Sequence, residues 1–393
     1  MITIHRGVFL GIVTLCVSLS AASTDIFLPS LPSIVTALGA TPGSAQLTLS
    51  VFTYAYAFSQ LIYGPLTDRF GRRPVLLVAM GIYVGASVGA TVSTSIAMLI
   101  AIRAIQALGA CAGPVAGRAM VRDAYEVTEA ARALAFVAMA FSLTPICAPI
   151  LGGFLETWFG WRAAFAFMGI VGTIVFLLVL LVLPETNRQR NRHALEPAVM
   201  LRNYRAILGS RKFLRYGASG MFSSATVFAF ISGSPFVFID VLHLEPAMYG
   251  PMFSMVALGY ASGAYTASRL TRRWGIDGAI ARGSAVGVCG GLLLLGLLVA
   301  GVKHPLAVSV PMMVALYGNG LMMPNLQAGA IGPFPQMAGA ASAMLGFLQM
   351  MGAASMGVVV GQSFDGTAYP MTLAILGATC CLFLTFRLLG GRR

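Results

Sequence analysis

Long, nearly uncharged stretches of apolar residues recur along the whole chain and limit what it can fold into. A helix needs about 20 mostly apolar residues to cross the hydrocarbon core of a bilayer. The runs are continuous, which excludes the alternating strands of a membrane barrel. Only 9% of the residues are charged, which excludes a soluble enzyme. We therefore predict an all-α membrane protein with 12 transmembrane helices. The predicted spans are 7–31, 45–66, 75–94, 96–117, 133–154, 163–184, 214–238, 248–268, 279–301, 305–326, 338–362 and 368–389.

The 25 lysine and arginine residues concentrate in alternate loops between the predicted spans. If the N-terminus is cytoplasmic, 22 of them lie on cytoplasmic segments, whereas outer segments carry two, Arg162 and Lys303. This is the distribution that the positive-inside rule describes, so both termini are expected in the cytoplasm. Because the charges are dispersed over short loops, the net charge of +13 predicts attraction to anionic lipid heads and no nucleic-acid partner.

The chain divides into two halves around its most polar stretch. We predict an N-terminal six-helix bundle over 1–184, a cytoplasmic linker over 185–212 and a C-terminal six-helix bundle over 213–393. The sequence after the second span, residues 64–74, has an echo after the eighth span, at residues 263–275. Parallel repeats of six spans, with a substrate site between them near the midplane, are a recurring plan of membrane transporters.

Asp25 and Arg103 are the acid and the base that lie well inside predicted spans. An ionisable residue there costs about 2.5 to 3.5 kcal/mol on insertion scales, so it is usually retained for a task. Both are expected at a similar depth, where they can meet across a central cavity and couple a proton to substrate as the cavity changes its exposure. The alternatives are a static ion pair that braces two helices, or an Asp25 nearer the outer interface.

Aromatic and amide side chains in the spans around this pair can line a wide cavity for amphipathic molecules. Taken singly, an aromatic residue of this kind more often faces lipid or the protein core. The candidates are Phe27, Phe52, Tyr54, Gln106, Phe228, Phe230, Tyr317, Asn319, Asn325, Gln327 and Gln349.

Two further segments combine glycine, proline and charge in ways that suit gating. Asp68 lies just after the second span beside three arginines, where an acid can bind the N-terminus of another helix and a neighbouring arginine. In span five, prolines and glycines remove backbone donors and side-chain bulk, which permits a bend and a close helix contact. The gating candidates are Gly64, Asp68, Arg69, Gly71, Arg72 and Arg73, and the hinge candidates are Pro145, Pro149, Gly152 and Gly153.

The sequence has no glycine-rich phosphate loop, no metal-ligand spacing and no nucleophile paired with a base. We therefore expect neither enzymatic activity nor a cofactor, and ATP-driven transport would need a separate subunit. A proton gradient is the expected source of energy.

Five segments resemble signatures of the major facilitator superfamily, and more closely its drug:proton antiporters of the bicyclomycin- and chloramphenicol-resistance type. Residues 64–74 resemble the loop between spans two and three, and residues 103–109 resemble the span-four motif. Residues 148–153 resemble the antiporter motif of span five, with Ala148 where glycine is usual. Residues 24–32 and 232–239 are similar to segments of spans one and seven in this branch.

The resemblance implies a bacterial inner-membrane protein that acts as a monomer and expels small amphipathic drugs in exchange for protons. It implies that Asp25 and Arg103 belong to the substrate and proton site. It also implies that Asp68, Arg72 and Asp123 form a cytoplasmic latch that stabilises the outward-facing state, with only a degenerate latch in the second half. Phenicols, bicyclomycin, or an endogenous product such as a siderophore are compatible substrates, and proton-linked import of a small metabolite is the alternative.

Overall fold

The computed structural model describes residues 5–187, 190–191 and 194–390. Part of the predicted linker and of the cytoplasmic charge therefore lies outside the described residues. The residues concerned are 1–4, Arg188, Gln189, Arg192, His193 and, at the C-terminal end, Gly391, Arg392 and Arg393.

Helices account for nearly all of the described chain, and none of its described residues forms a strand. The predicted all-α fold is confirmed. The α-helices are α1 (Arg6–Asp25), α2 (Leu31–Ala37), α3 (Pro42–Phe70), α4 (Arg72–Thr91), α5 (Ile96–Ala124), α6 (Val127–Phe159), α7 (Arg162–Leu181), α8 (Pro197–Leu208), α9 (Arg211–Pro235), α10 (Pro246–Val299), α11 (Pro305–Ile331), α12 (Ala338–Ser363) and α13 (Tyr369–Leu388).

Ten helical stretches of the described chain are long and apolar enough to cross a membrane. The 29-residue helix α3 is not one of them, because polar residues such as Gln46, Ser50 and Thr53 lower its hydropathy. Helix α10 runs for 54 residues where the sequence predicts two spans, and its backbone leaves helical geometry at Gly275, with φ 71° and ψ 167°. The arrangement of 12 spans in two bundles stays a prediction.

Helix boundaries follow local sequence signals. Thr41 accepts a hydrogen bond from the backbone N–H of Ser44 at 3.2 Å, which satisfies a free donor in the first turn of α3. Gly71, with φ 103°, directly follows the last residue of α3, and Gly160, with φ 76°, directly follows that of α6. Glycine adopts this region of positive φ without the strain that a side chain would cause.

Contacts between loops define two ends of the molecule. After Gly160, Arg162 donates hydrogen bonds to the carbonyls of Thr91, the last residue of α4, and of Ser93 just after it. These two loops therefore share one end of the molecule, called here the Gly160 end. At the opposite end, called the Gly71 end, Arg72 contacts Asp123 at the end of α5.

The N-terminal half of the chain packs on the C-terminal half through two helix pairs. Helix α3 lies along α12, and α6 lies along α10. The first pair stays close from Gly43 beside Gly361, near the Gly160 end, to Gln60 beside Gly346, nearer the Gly71 end. Close packing of this kind is typical of glycine-bearing faces in membrane helices.

Candidate functional site

Arg103 is fully buried on α5, in the interior of the N-terminal half. Its guanidinium lies 4.2 Å from the ring centroids of both Phe27 and Phe52. Its Nη1 donates to Oε1 of Gln106 at 2.5 Å and its Nε to the carbonyl of Thr48 at 3.4 Å, while Nη2 has no hydrogen-bond partner in the described chain. The aromatic faces offset part of the cost of burying this cation.

A second layer of hydrogen bonds fixes this cluster. Gln106 donates through Nε2 to the hydroxyl of Ser87 on α4 at 2.8 Å. On the same helix, the hydroxyl of Tyr83 lies 2.7 Å from that of Ser23 on α1. Helices α1, α4 and α5 therefore hold Arg103 in one orientation.

Asp25 is only 4% exposed and is the last residue of α1. Its Oδ1 accepts a hydrogen bond from the hydroxyl of Thr24 at 3.1 Å. Within the described residues, no ion pair joins Asp25 to Arg103. The predicted meeting of the two charges is therefore absent from this structure, in which the rings of Phe27 and Phe52 lie against the guanidinium instead.

The neighbour of Asp25 from the other half of the chain is an aromatic residue. Tyr249 of α10 is fully buried and interacts electrostatically with Asp25. Its hydroxyl lies 3.0 Å from that of Ser234, near the end of α9. The carboxyl group therefore lies where the two halves meet at the Gly160 end.

The predicted cavity residues fall into separate groups. Phe27, Phe52 and Gln106 surround Arg103, whereas Tyr54 meets Ser355 of α12 across the contact between the halves, at 2.8 Å.

The others lie in the C-terminal half. Phe230 stacks on Phe253 with ring centroids 5.6 Å apart, and Phe228 is partly buried against the same core. Tyr317 donates to Thr266 at 3.2 Å. The remaining amides are placed as follows: Asn319 donates to the carbonyl of Ser223, Asn325 donates to Thr271, Gln349 is buried beside Met323, and Gln327 is exposed on α11.

Arg72 draws the predicted latch residues together at the Gly71 end. Its Nη1 contacts Asp68, and its Nε lies 3.1 Å from Oδ2 of Asp123. Glu185, which sequence reasoning missed, accepts hydrogen bonds from the backbone N–H groups of Arg72 and Arg73 at 3.0 and 3.2 Å. A carboxylate in this place neutralises the positive end of the α4 dipole.

Three further gating candidates, Gly64, Arg69 and Gly71, have different surroundings. Arg69 is exposed and lies over the ring of Phe70, and Gly64 has open space around it. Gly71 faces the carboxylate of Glu185 so closely that a methyl group would overlap it. This contact, together with the positive φ, explains the need for glycine at this turn.

Helix α6 carries the hinge candidates and remains helical through Pro145 and Pro149. A methyl group on Gly152 would overlap the carbonyl of Ile26, next to Asp25. One on Gly153 would lie 2.5 Å from the carbonyl of Pro246 in the other half. The predicted close helix contact is present, and the hinge role stays a prediction.

The same contact is close from the opposite side. A methyl group on Gly250 of α10 would lie 2.6 Å from the backbone nitrogen of Ile150 and 2.8 Å from the carbonyl of Pro149. The backbones of α6 and α10 are therefore in direct contact at the Gly160 end.

A polar seam along α3 was not predicted. Gln46 is fully buried and donates through Nε2 to the carbonyl of Ser232 on α9 at 2.6 Å, which joins the two halves. Its Oε1 and the hydroxyls of Ser50 and Ser232 have no partner in the described chain. Polar residues at positions 46, 50 and 54, one helical turn apart, were the signal for this seam.

Two acids were also missed. Glu156 lies beyond the predicted end of span five but within α6, where Ser33 donates to its Oε1 at 2.6 Å and its Oε2 is buried without a partner in the described chain. Asp277, just after Gly275, binds Arg215 at 2.9 Å and Tyr216 at 2.6 Å. The second half therefore has an ion pair of its own at the Gly71 end. Its acid, Asp277, follows Gly275, whereas Asp68 precedes Gly71.

This arrangement of apolar helices, buried charges and small-residue contacts between halves defines a multi-pass membrane transporter. The chain belongs to the Major Facilitator Superfamily, whose family model matches residues 13–358. It is 29% identical to a bicyclomycin resistance protein homolog of Haemophilus influenzae, with 99% of each chain covered. It is 30% identical to multidrug resistance protein D of Escherichia coli, with 95% of each chain covered. These relatives confirm the resemblance and the class of transporter.

Among solved structures, a D-xylose–proton symporter has a similar fold, with a TM-score of 0.74 and 14% sequence identity. The likeness covers 98% of this chain and 97% of the symporter. At this identity it supports the fold alone.

Proposed function

We propose that the protein is a proton-coupled exporter of small amphipathic drugs that works by alternating access. Two six-helix bundles, residues 1–184 and 213–393, rock about a central site and are joined by the linker 185–212. The count of 12 spans follows if α3 crosses the bilayer and α10 crosses it twice around Gly275. The names of the relatives support drugs as the substrate class.

The orientation follows from charge. The Gly71 end carries Arg72, Arg73 and Arg215, so we assign it to the cytoplasm together with both termini. The Gly160 end is then the outer side, where the halves are packed backbone to backbone at Gly250. In this state the substrate site has no direct path to the outside through that contact.

The observation that carries the proposal is the position of Asp25. Its carboxyl is buried at the junction of the halves, and Arg103, the buried cation, has no carboxylate partner in the described chain. We propose that Asp25 holds a proton in this state, because an unpaired ion costs several kcal/mol in the membrane interior. Binding of drug from the cytoplasmic side displaces this proton, and a turn of Phe27 away from Arg103 then brings the two charges together. Opening of the outer side releases the drug and lets Asp25 take up a proton again.

The remaining candidates receive supporting roles. We propose that Asp68, Arg72 and Asp123 act as a latch on the cytoplasmic side. We assign Pro149, Gly152 and Gly153 to the outer closure, with Pro145 as the hinge on the same helix. The cavity residues Tyr54, Phe228, Phe230, Tyr317 and Asn319 are proposed to converge on substrate when the bundles rock, since they lie in separate groups here.

Drug accumulation in cells tests the function and its direction. An exporter lowers the cellular level of chloramphenicol, and a protonophore abolishes the effect because the driving force is lost. A rise in uptake would favour proton-linked import, and an effect that survives the protonophore would contradict proton coupling. Export of an endogenous product such as a siderophore would appear as loss of that product from the medium on deletion of the gene, with drug levels unchanged.

A further inference from the structure

The amphipathic helix α8, between the two halves of the chain, has one face buried and one face free. Ile207 is fully buried in a cluster with Phe213 of α9 and Met344 of α12. The hydroxyl of Tyr204 donates to the carbonyl of Leu61 on α3 at 2.9 Å. Burial raises the pKa of Tyr204, so this donor keeps its proton at neutral pH. Helix α8 therefore contacts both halves at once.

The depth of α8 follows from the helices that it touches. Leu61 lies 19 residues after Pro42, or about 28 Å along α3. Met344 lies 19 residues before Ser363, which places it at the same distance along α12. Both distances match the roughly 30 Å thickness of the hydrocarbon core. Helix α8 thus lies at the level where acyl chains meet headgroups.

The free face of α8 combines leucine with arginine. Leu201 is 69% exposed and Leu208 is 38% exposed, beside the exposed Arg202 and Arg205. Neither arginine forms an ion pair with a carboxylate in the described chain. Exposed leucine is unfavourable in water but suits the acyl boundary, and arginine suits an anionic headgroup directly above it.

We propose that α8 is a binding surface for anionic phospholipids, with Arg202 and Arg205 on the headgroup phosphate and Leu201 and Leu208 against the acyl chains. Arg211 and Lys212, both exposed at the start of α9, extend the basic surface. Since α8 touches α3 and the α9–α12 cluster together, a bound lipid stabilises the arrangement of the halves in which α8 is docked. The proposal does not depend on which substrate is transported.

Retention of phosphatidylglycerol by the full-length protein tests the surface. The double variant Arg202→Gln/Arg205→Gln is compared with Arg272→Gln/Arg273→Gln, which removes the same charge from another exposed pair on α10. Each basic residue near an anionic surface contributes a factor of about five, so the α8 variant binds the first lipid about 30-fold more weakly. Native mass spectrometry of the protein released from nanodiscs measures this affinity. Equal loss in both variants, or no loss in the α8 variant, would overturn the proposal.

Two further measurements separate lipid from free phosphate and from misfolding. Soluble glycerol phosphate in excess leaves the bound lipid in place if the acyl contacts of Leu201 contribute, and complete displacement would show a simple phosphate site. In a chain with all its arginines present and its six native cysteines replaced by alanine, a spin label at Leu201→Cys collides more with oxygen than with a water-soluble nickel complex if α8 lies in the interface. The reverse ratio would place α8 in water and refute the proposal without any charge variant.

Discussion

Substitution of Gly250 by alanine tests whether the contact between α6 and α10 is an outer gate. The added methyl group would meet three backbone atoms of Pro149 and Ile150, with the backbone nitrogen at 2.6 Å and the carbonyl at 2.8 Å. Backbone atoms cannot turn aside as the end of a side chain can, so α10 has to retreat from α6. Overpacking costs about 1 to 3 kcal/mol, and the upper value applies here. The closed contact then becomes about 150-fold less favourable relative to the open one.

Spin-label distances measure this shift directly. Labels at Thr36 in α2 and Lys303 before α11 lie on different halves at the Gly160 end, in a chain whose six native cysteines are replaced by alanine. Gly250→Ala moves the distance distribution to longer values. Gly296→Ala, on the same helix with no atom within 4 Å of the added methyl group, is the matched control and leaves it unchanged. An unchanged distribution in Gly250→Ala, with normal folding, would refute the assignment of this contact as a gate.

Two other substitutions test the latch and the contact of aromatic rings with Arg103. Asp68→Ala removes one of the two acids on Arg72, so turnover falls severalfold while drug affinity in a binding assay is kept; unaltered turnover would count against a latch. Phe52→Leu removes one ring from Arg103 and lowers the free energy of unfolding by about 1 to 2 kcal/mol, which is measured as a lower midpoint of thermal unfolding. Phe58→Leu, at an exposed position of the same helix, is the control. An equal loss of stability in both variants would mean that only general packing was affected.

The all-α fold and most of its long apolar helices were predictable because their signals are local and additive. Apolar runs set the spans, and Gly71 marks the end of α3 because its turn needs a positive φ. Arg72, Asp68 and Asp123 were grouped through the resemblance, and the structure places them together. The function of that group stays a prediction.

The partners of buried residues were harder to predict, because depth along a helix does not say which face a side chain occupies. Asp25 and Arg103 have similar depths, yet Phe27 and Phe52 contact the guanidinium and the acid does not. The importance of Gln46 depends on Ser232, which is distant in sequence and meets it across the contact between the halves. Without knowledge of that partner, the polar residues of α3 only lower its hydropathy as a membrane span.

The ends of spans were a separate source of error. Span five was expected to end at residue 154, whereas α6 continues to Phe159 and includes Glu156. The helix continues to this point because the residue that terminates it is Gly160. A prediction from apolar character alone does not detect such a capping residue. A prediction based on the glycine would have placed Glu156, which is half-buried, inside the helix.

Proton release on drug binding tests the central claim that one buried carboxyl exchanges proton and substrate. Purified protein in weakly buffered detergent solution releases a proton when chloramphenicol is added, and Asp25→Asn binds the drug without release. Asp365→Asn, which changes an acid in the exposed loop before α13, is the matched control and releases protons as the native protein does. Native-sized release from Asp25→Asn would contradict the account.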